Sequence, residues 1–194
     1  MEYRLILSAE ELKPYFPQLM RAKQIAVDTE TTGFDPHTSR LRLIQLYTKE
    51  VPALVIDCDH FLPEGGTLLR ELLGRERVKV FQNAKFDLQF LWANGIDIMP
   101  PVFDTMLAGA LLRSSGGPRS VSLKTLAEYY LSEDVSKEER ETNWGGVLRE
   151  EQLLYAAKDA EITLRLREAL VPHLCYYFYI NFKVFKSNAN WVMV

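Results

Sequence analysis

The run Ile25-Ala26-Val27-Asp28-Thr29-Glu30-Thr31-Thr32-Gly33 constrains this chain more than any other stretch. Three apolar residues lead straight into two carboxylates one residue apart, and threonines and a glycine follow. On a strand, residues i and i+2 face the same side, so Asp28 and Glu30 project together from the end of a buried strand. Two anions held that close repel, and each raises the other's pKa unless positive charge lies between them. A divalent cation supplies that charge, and carboxylate oxygens suit Mg²⁺ or Mn²⁺. The competing reading is a strand that simply runs out into an acidic turn. This stretch alone leaves both open.

The remaining sequence predicts one α/β domain with a mixed β-sheet flanked by helices. Its 194 residues suit a single core, and 47% hydrophobic with 25% charged residues is the balance of a soluble globular protein. A net charge of -3 does not advertise a phosphate-tracking surface, although cations bound at a carboxylate cluster would restore local positive charge. Cys58 and Cys175 are far apart and suggest a reducing compartment, the cytoplasm or the nucleoid, rather than a disulfide framework. The stretch from Met1 to Leu12 does not read as a signal peptide, and no apolar run approaches the ~20 residues that span a bilayer, so no membrane partner is expected.

Along the chain, Tyr3 to Leu7 reads as a strand, and Ser8 caps a helix reaching about Met20. The strand Ile25 to Thr29 follows. Leu41 to Tyr47 alternates like a half-buried strand, and Val51 to Ile56 is a third member of an antiparallel meander. Leu68 to Leu73 is a helix ended by Gly74, Val78 to Phe81 a short strand, and Ala84 to Ala93 a helix closed by Asn94-Gly95. Phe103 to Leu112 reads as a helix with Asp104 near its start, and Ser122 caps another through Tyr130. Ser132 to Trp144 is charged and irregular, with room for a short helix. Glu150 to Leu170 is a long amphipathic helix expected to end at Pro172. The domain is therefore drawn as residues 1–172, with 173–194 as an aromatic-rich tail that contains no acid. That tail could add a strand, dock a partner, stack on single-stranded nucleic acid or remain disordered.

Two more acids stand at apolar boundaries. Asp87 shares a helical stripe with Leu91, and Asp159 shares one with Tyr155, Ile162 and Leu166. Each has an ordinary reading, as a helix-start acid or a paired core neighbour. Together with Asp28 and Glu30 they make four carboxylates with no matching buried cations, and that argues for a shared metal site.

At this point the residues resemble a known family. Asp28-Thr29-Glu30, then Asn83-Ala84-Lys85-Phe86-Asp87, then Tyr155-Ala156-Ala157-Lys158-Asp159 are similar to the motifs of the DEDD superfamily of 3′→5′ exonucleases, in its tyrosine-bearing branch. Phe103 to Ala108, Ser122 to Ala127, Asn143-Trp144 and Glu151 to Tyr155 extend the likeness, which covers about Ile25 to Leu170. Within the branch, Asp28 to Gly33 with Leu41 to Leu43 looks most like the proofreading domain of family A bacterial DNA polymerases, with ribonuclease D as near relative. Past Pro172 the tail departs from the family's polar, leucine-rich continuation, and both a free-standing exonuclease and a polymerase fragment fit.

The resemblance implies a ribonuclease H-like fold and two divalent cations, Mg²⁺ or Mn²⁺, held by Asp28, Glu30, Asp87 and Asp159. It implies that Tyr155 orients the attacking water and that nucleoside 5′-monophosphates leave from the 3′ end of single-stranded or frayed DNA. Thr31, Asn83 and Phe86 fall at substrate-binding positions, and Phe34 where an apolar side chain wedges against terminal bases. Apart from the resemblance, Arg40, Arg42, Arg113, Arg119 and Lys124 could meet phosphates, with a solvated surface as the default reading of each. The partner is nucleic acid with a free 3′ end, with a polymerase or another protein as a second partner. A ribonuclease D-like exoribonuclease, a catalytically silent binding module of the same fold and a phosphohydrolase of small nucleotides are the alternatives.

Overall fold

A computed structural model describes residues 2–134 and 143–188, the segment 181–188 as backbone only. Six strands form one mixed sheet: β1 (Tyr3–Ile6), β2 (Gln24–Thr31), β3 (Leu41–Thr48), β4 (Val51–Asp57), β5 (Val78–Phe81) and β6 (Val102–Asp104), in the spatial order β1-β4-β3-β2-β5-β6. The antiparallel meander β2-β3-β4 is its centre, because the connections are short enough for hairpins. β1 joins β4 in parallel, and β5 and β6 extend β2 in parallel through helical crossovers.

The alternation of β2 divides the molecule into two layers. Ile25 and Val27 face a core shared with α1 (Ala9–Leu12), α2 (Phe16–Arg21), α3 (Cys58–Leu73) and α4 (Ala84–Ala93), through Leu12, Leu19, Phe61 and Leu91. Ala26 faces the other way, onto Leu164 of α7 (Glu150–Asn188). Elsewhere on α7, Leu153, Ala156 and Ala157 pack on Leu43, Ala53 and Val55 of the sheet. Ile162, Leu166 and Leu170 of the same helix pack against α5 (Thr105–Leu112) and α6 (Leu123–Leu131).

Several expectations are corrected. The first helical stretch is two short helices, because Pro14 interrupts it. β3 is buried on both faces rather than half-buried: α7 covers one, and on the other Arg42 is neutralised by Asp57. The stretch Phe103 to Leu112 opens as strand β6, whose last residue Asp104 caps α5 by accepting from the backbone N–H of Met106 and Leu107. α3 begins ten residues before the expected start, at Cys58, and carries Pro63 within its second turn. α7 does not end at Pro172 but continues through it to Asn188, so the run Tyr179 to Lys186 is helical rather than an added strand. Most of the charged Ser132 to Trp144 segment, at 135–142, and the end of the tail, at 189–194, lie outside the described residues. No described helix is long and apolar enough to cross a membrane.

Candidate active site

β2 aims its polar end at a cleft. Asp28 and Glu30 lie on the face that α7 covers, and a register shift in the β2–β3 pairing falls between Glu30 and Thr31, just where the strand leaves the sheet. α7 brings Asp159, 8% exposed, with Tyr155 one turn earlier on the same stripe. α4 brings Asp87, 3% exposed, from the opposite layer. All five residues line one cleft of about 900 Å³, together with Thr31, Phe34, Asn83 and Phe86. The nine site residues expected from the sequence are thus assembled in a single place.

The electrostatics follow from that crowding. Burial, then the charges of Asp87, Glu30 and Asp159, push the Asp28 carboxyl well above the usual carboxylate range. Burial pushes Asp87 up to about 7, against the hydrogen bond that it accepts from Thr29. Tyr155 is pushed upward by burial and by Asp159, to which its phenol is hydrogen-bonded, so it keeps its proton throughout the physiological range. Among the described residues no three acidic, histidine or cysteine side chains close into a finished metal shell. The four carboxylates instead line one space and repel across it, and an all-carboxylate donor set is the hard-oxygen chemistry that Mg²⁺ and Mn²⁺ take. The residues therefore fit divalent cations.

One side of the cleft is built from two loops. Phe34, 90% exposed, stands at the lip with its ring edge-on to Phe86, centroids 6.4 Å apart. Its loop is pinned at both ends: the backbone N–H of Thr32 donates to the Arg40 carbonyl, and the Arg40 N–H donates to the Thr32 hydroxyl at 2.8 Å. Asn83 precedes α4 in the left-handed region, φ 68°, which is uncommon for a residue with a side chain. Asp104 holds it there, accepting from the backbone N–H groups of Asn83 at 3.2 Å and Ala84 at 2.9 Å.

The basic residues are placed unequally. Lys124 lines the cleft while paired with Asp134 and Glu128. Arg40 is tied to Asp59, and Arg113 leans on the carbonyls of Ala110 and Arg119. Arg42 is not a phosphate contact: it is buried and committed to Asp57, because an unpaired guanidinium would be costly there. The cleft also contains residues that sequence reasoning did not name as site residues, among them Thr29, Gln82, Ser122 and Trp144. Thr29 is hidden by its position between two acids. Gln82 is hidden because its partners, the Thr105 hydroxyl and the Val121 carbonyl, are distant in sequence. Gln45, the cross-strand neighbour of Asp28, is fully buried with no hydrogen-bond partner for its amide among the described residues.

Known proteins resemble this chain in sequence and fold. DNA polymerase I of Borreliella burgdorferi is 33% identical over 176 residues, which cover 86% of this chain and 19% of the relative. Ribonuclease D of Serratia proteamaculans is 31% identical over 173 residues, covering 88% of this chain and 45% of the relative. The chain thus spans about a fifth of that polymerase and under half of that ribonuclease. Among solved structures, NrnC of Brucella melitensis is 25% identical, with a TM-score of 0.74 in its form bound to pGG and 0.72 with bound Mg²⁺, each covering 100% of both chains. The family described as 3′-5′ exonuclease matches residues 3–175, a span that holds the whole sheet and every carboxylate of the cleft. With its Asp-x-Glu strand end and two further aspartates on helices, this chain belongs to the DEDD-type 3′–5′ exonucleases.

Proposed function

We propose that the chain removes nucleotides one at a time from the 3′ end of single-stranded or frayed DNA. The observation that carries this reading is the convergence of Asp28, Glu30, Asp87 and Asp159, from a strand and two helices, on one open cleft beside Tyr155. In the hydrolysis, water adds to the terminal phosphorus, the P–O3′ bond breaks, the new 3′ oxygen takes a proton, and a nucleoside 5′-monophosphate leaves. Asp28, Glu30, Asp87 and Asp159 would hold divalent cations, which supply the positive charge that a carboxylate-lined cleft needs before it can accept a phosphodiester. The bound Mg²⁺ of the NrnC structure supports metal use. Tyr155, which stays protonated and donates to Asp159, orients the water by accepting from it at the phenol oxygen rather than by removing its proton. Phe34 stacks on the terminal bases, a sequence-tolerant contact, while Asn83 and Phe86 line the path of the last nucleotides.

DNA is preferred because the Asp28 to Gly33 motif is polymerase-like and a DNA polymerase I is among the relatives. A second reading, RNA or short RNA ends, is favoured by the ribonuclease D relative and by the NrnC structure bound to pGG. A polymerase or other protein partner is the natural setting for the first reading. The two unpaired cysteines agree with a reducing compartment such as the cytoplasm or nucleoid.

The test is a nuclease assay on 5′-labelled single-stranded DNA and RNA of one sequence, with Mg²⁺, Mn²⁺ or EDTA, beside Asp28→Ala. A metal-dependent ladder shortening from the 3′ end, absent in the variant, is expected, and the faster substrate decides between DNA and RNA. A folded protein that gives no ladder with either metal overturns the enzyme reading in favour of a binding module.

A further inference from the structure

The Asp-Thr-Glu triplet of β2 has two working faces. Asp28 and Glu30 point toward the layer of α7, and Thr29 between them points the other way, toward the layer of α4. There its hydroxyl donates to Asp87 Oδ1 at 2.6 Å, across 58 residues of chain. Both side chains are buried, Thr29 at 6% and Asp87 at 3% exposure, so water cannot substitute for the bond. The β-branched side chain leaves the hydroxyl little rotational freedom. One carboxylate oxygen of Asp87 is thereby engaged from the sheet, while Asp87 itself lines the cleft.

We infer that Thr29 is a positioning residue that fixes Asp87 to present a single oxygen to a divalent cation, so that one strand supplies two ligands and aims a third. The inference rests on the reading of Asp87 as a metal ligand. A hydroxyl donated to a ligating carboxylate fixes its orientation and withdraws one oxygen from competition, and losing such a contact typically weakens metal binding by roughly tenfold or more.

The experiment is a Mn²⁺ titration of the metal-free full chain, read by loss of the free-ion electron paramagnetic resonance signal, with thermal unfolding of each variant alongside. Thr29→Val keeps the shape and removes the hydroxyl, while Thr29→Ser keeps the hydroxyl and removes the methyl. Roughly tenfold weaker Mn²⁺ binding is expected for T29V and near wild-type binding for T29S. In an Asp87→Ala background T29V should change nothing further, because its effect passes through Asp87. If T29V does not fold, Thr29→Ala takes its place in the comparison with T29S. Wild-type affinity in the hydroxyl-less variant, or an equal loss in the D87A background, overturns the inference while leaving the function intact. A wild-type chain that binds no Mn²⁺ overturns the metal reading itself.

Discussion

Asp87→Asn should make the metal-free protein more stable, although it removes a residue central to the cleft. The asparagine side chain is nearly isosteric with the aspartate it replaces, and its amide oxygen can still accept from Thr29. What disappears is an anion that burial holds at a pKa of about 7 instead of 3.8. Below pH 3.8 Asp87 is protonated whether folded or not, and the two proteins should match. As the pH rises from 3.8 the unfolded chain releases that proton while the folded one retains it, so wild-type stability falls until about pH 7. The gap between 3.8 and about 7, at roughly 1.36 kcal/mol per pH unit, sets a ceiling of about 4 kcal/mol. Asp28, whose carboxyl is raised by the same crowding, shares the repulsion, so a gain of about 1–3 kcal/mol is expected at about pH 8. For a chain of this size about 2 kcal/mol corresponds to a rise in Tm on the order of 5 °C. Urea and thermal unfolding from about pH 4 to about pH 8 in EDTA measure the difference directly. Adding Mn²⁺ should then stabilise the wild type more than the variant and reduce or reverse the order. A D87N protein that is less stable than wild type at the alkaline end in EDTA, or equally stable at every pH, would refute the idea that crowded anions strain this cleft.

Asp28→Ala and Asp159→Ala should abolish hydrolysis while leaving circular dichroism unchanged; a folded D159A protein with full activity would sink the site assignment. Tyr155→Phe removes only the hydroxyl and should lower kcat about 100-fold with KM little altered, as loss of one oriented hydrogen-bonding group does. Phe34→Ala should raise KM roughly tenfold with Tm unchanged, since the ring is exposed and, in the proposed function, stacks on substrate rather than on the core. Arg42→Ala should behave in the opposite way, costing about 3 kcal/mol of stability by removing the buried guanidinium that faces Asp57 and leaving His60 and the Asp59 N–H as that carboxylate's partners; an R42A protein with normal stability and impaired substrate binding would restore Arg42 as a phosphate contact.

The site is more legible in the sequence than parts of the scaffold are. Asp28 and Glu30 announce themselves by the two-residue period of a strand, and Asp159 by the helical period it shares with Ile162 and Leu166. Those periods are local, so the sequence carries them. Burial on both faces of β3 is not legible, because Arg42 on one and Gln45 on the other look like solvent-facing residues until Asp57 and α7 are in place. Pro172 signals a stop by its missing N–H, but the helix continues through it, with Leu174 and Tyr177 still packed against the α5–α6 cluster; tertiary contact outweighs the local penalty. Asp104 reads as a helix-start acid and is one, yet half of its work, holding Asn83 in a left-handed conformation, depends on the β5–β6 pairing and cannot be seen from its neighbours.

The two-layer construction also has a mechanical meaning. The sheet is a plate with separate pads bonded to its two sides, α4 to one and α7 to the other, and each pad has its own apolar adhesive. The carboxylates come from both pads and from the rim of the plate between them. Like charges at that rim act as a spring that pushes the pads apart, and a cation shared among them would be a clasp. Closing the clasp would register the two pads against each other across the plate's edge, so α4 and α7 should gain protection from hydrogen exchange together when Mn²⁺ is added, despite lying on opposite sides of the sheet.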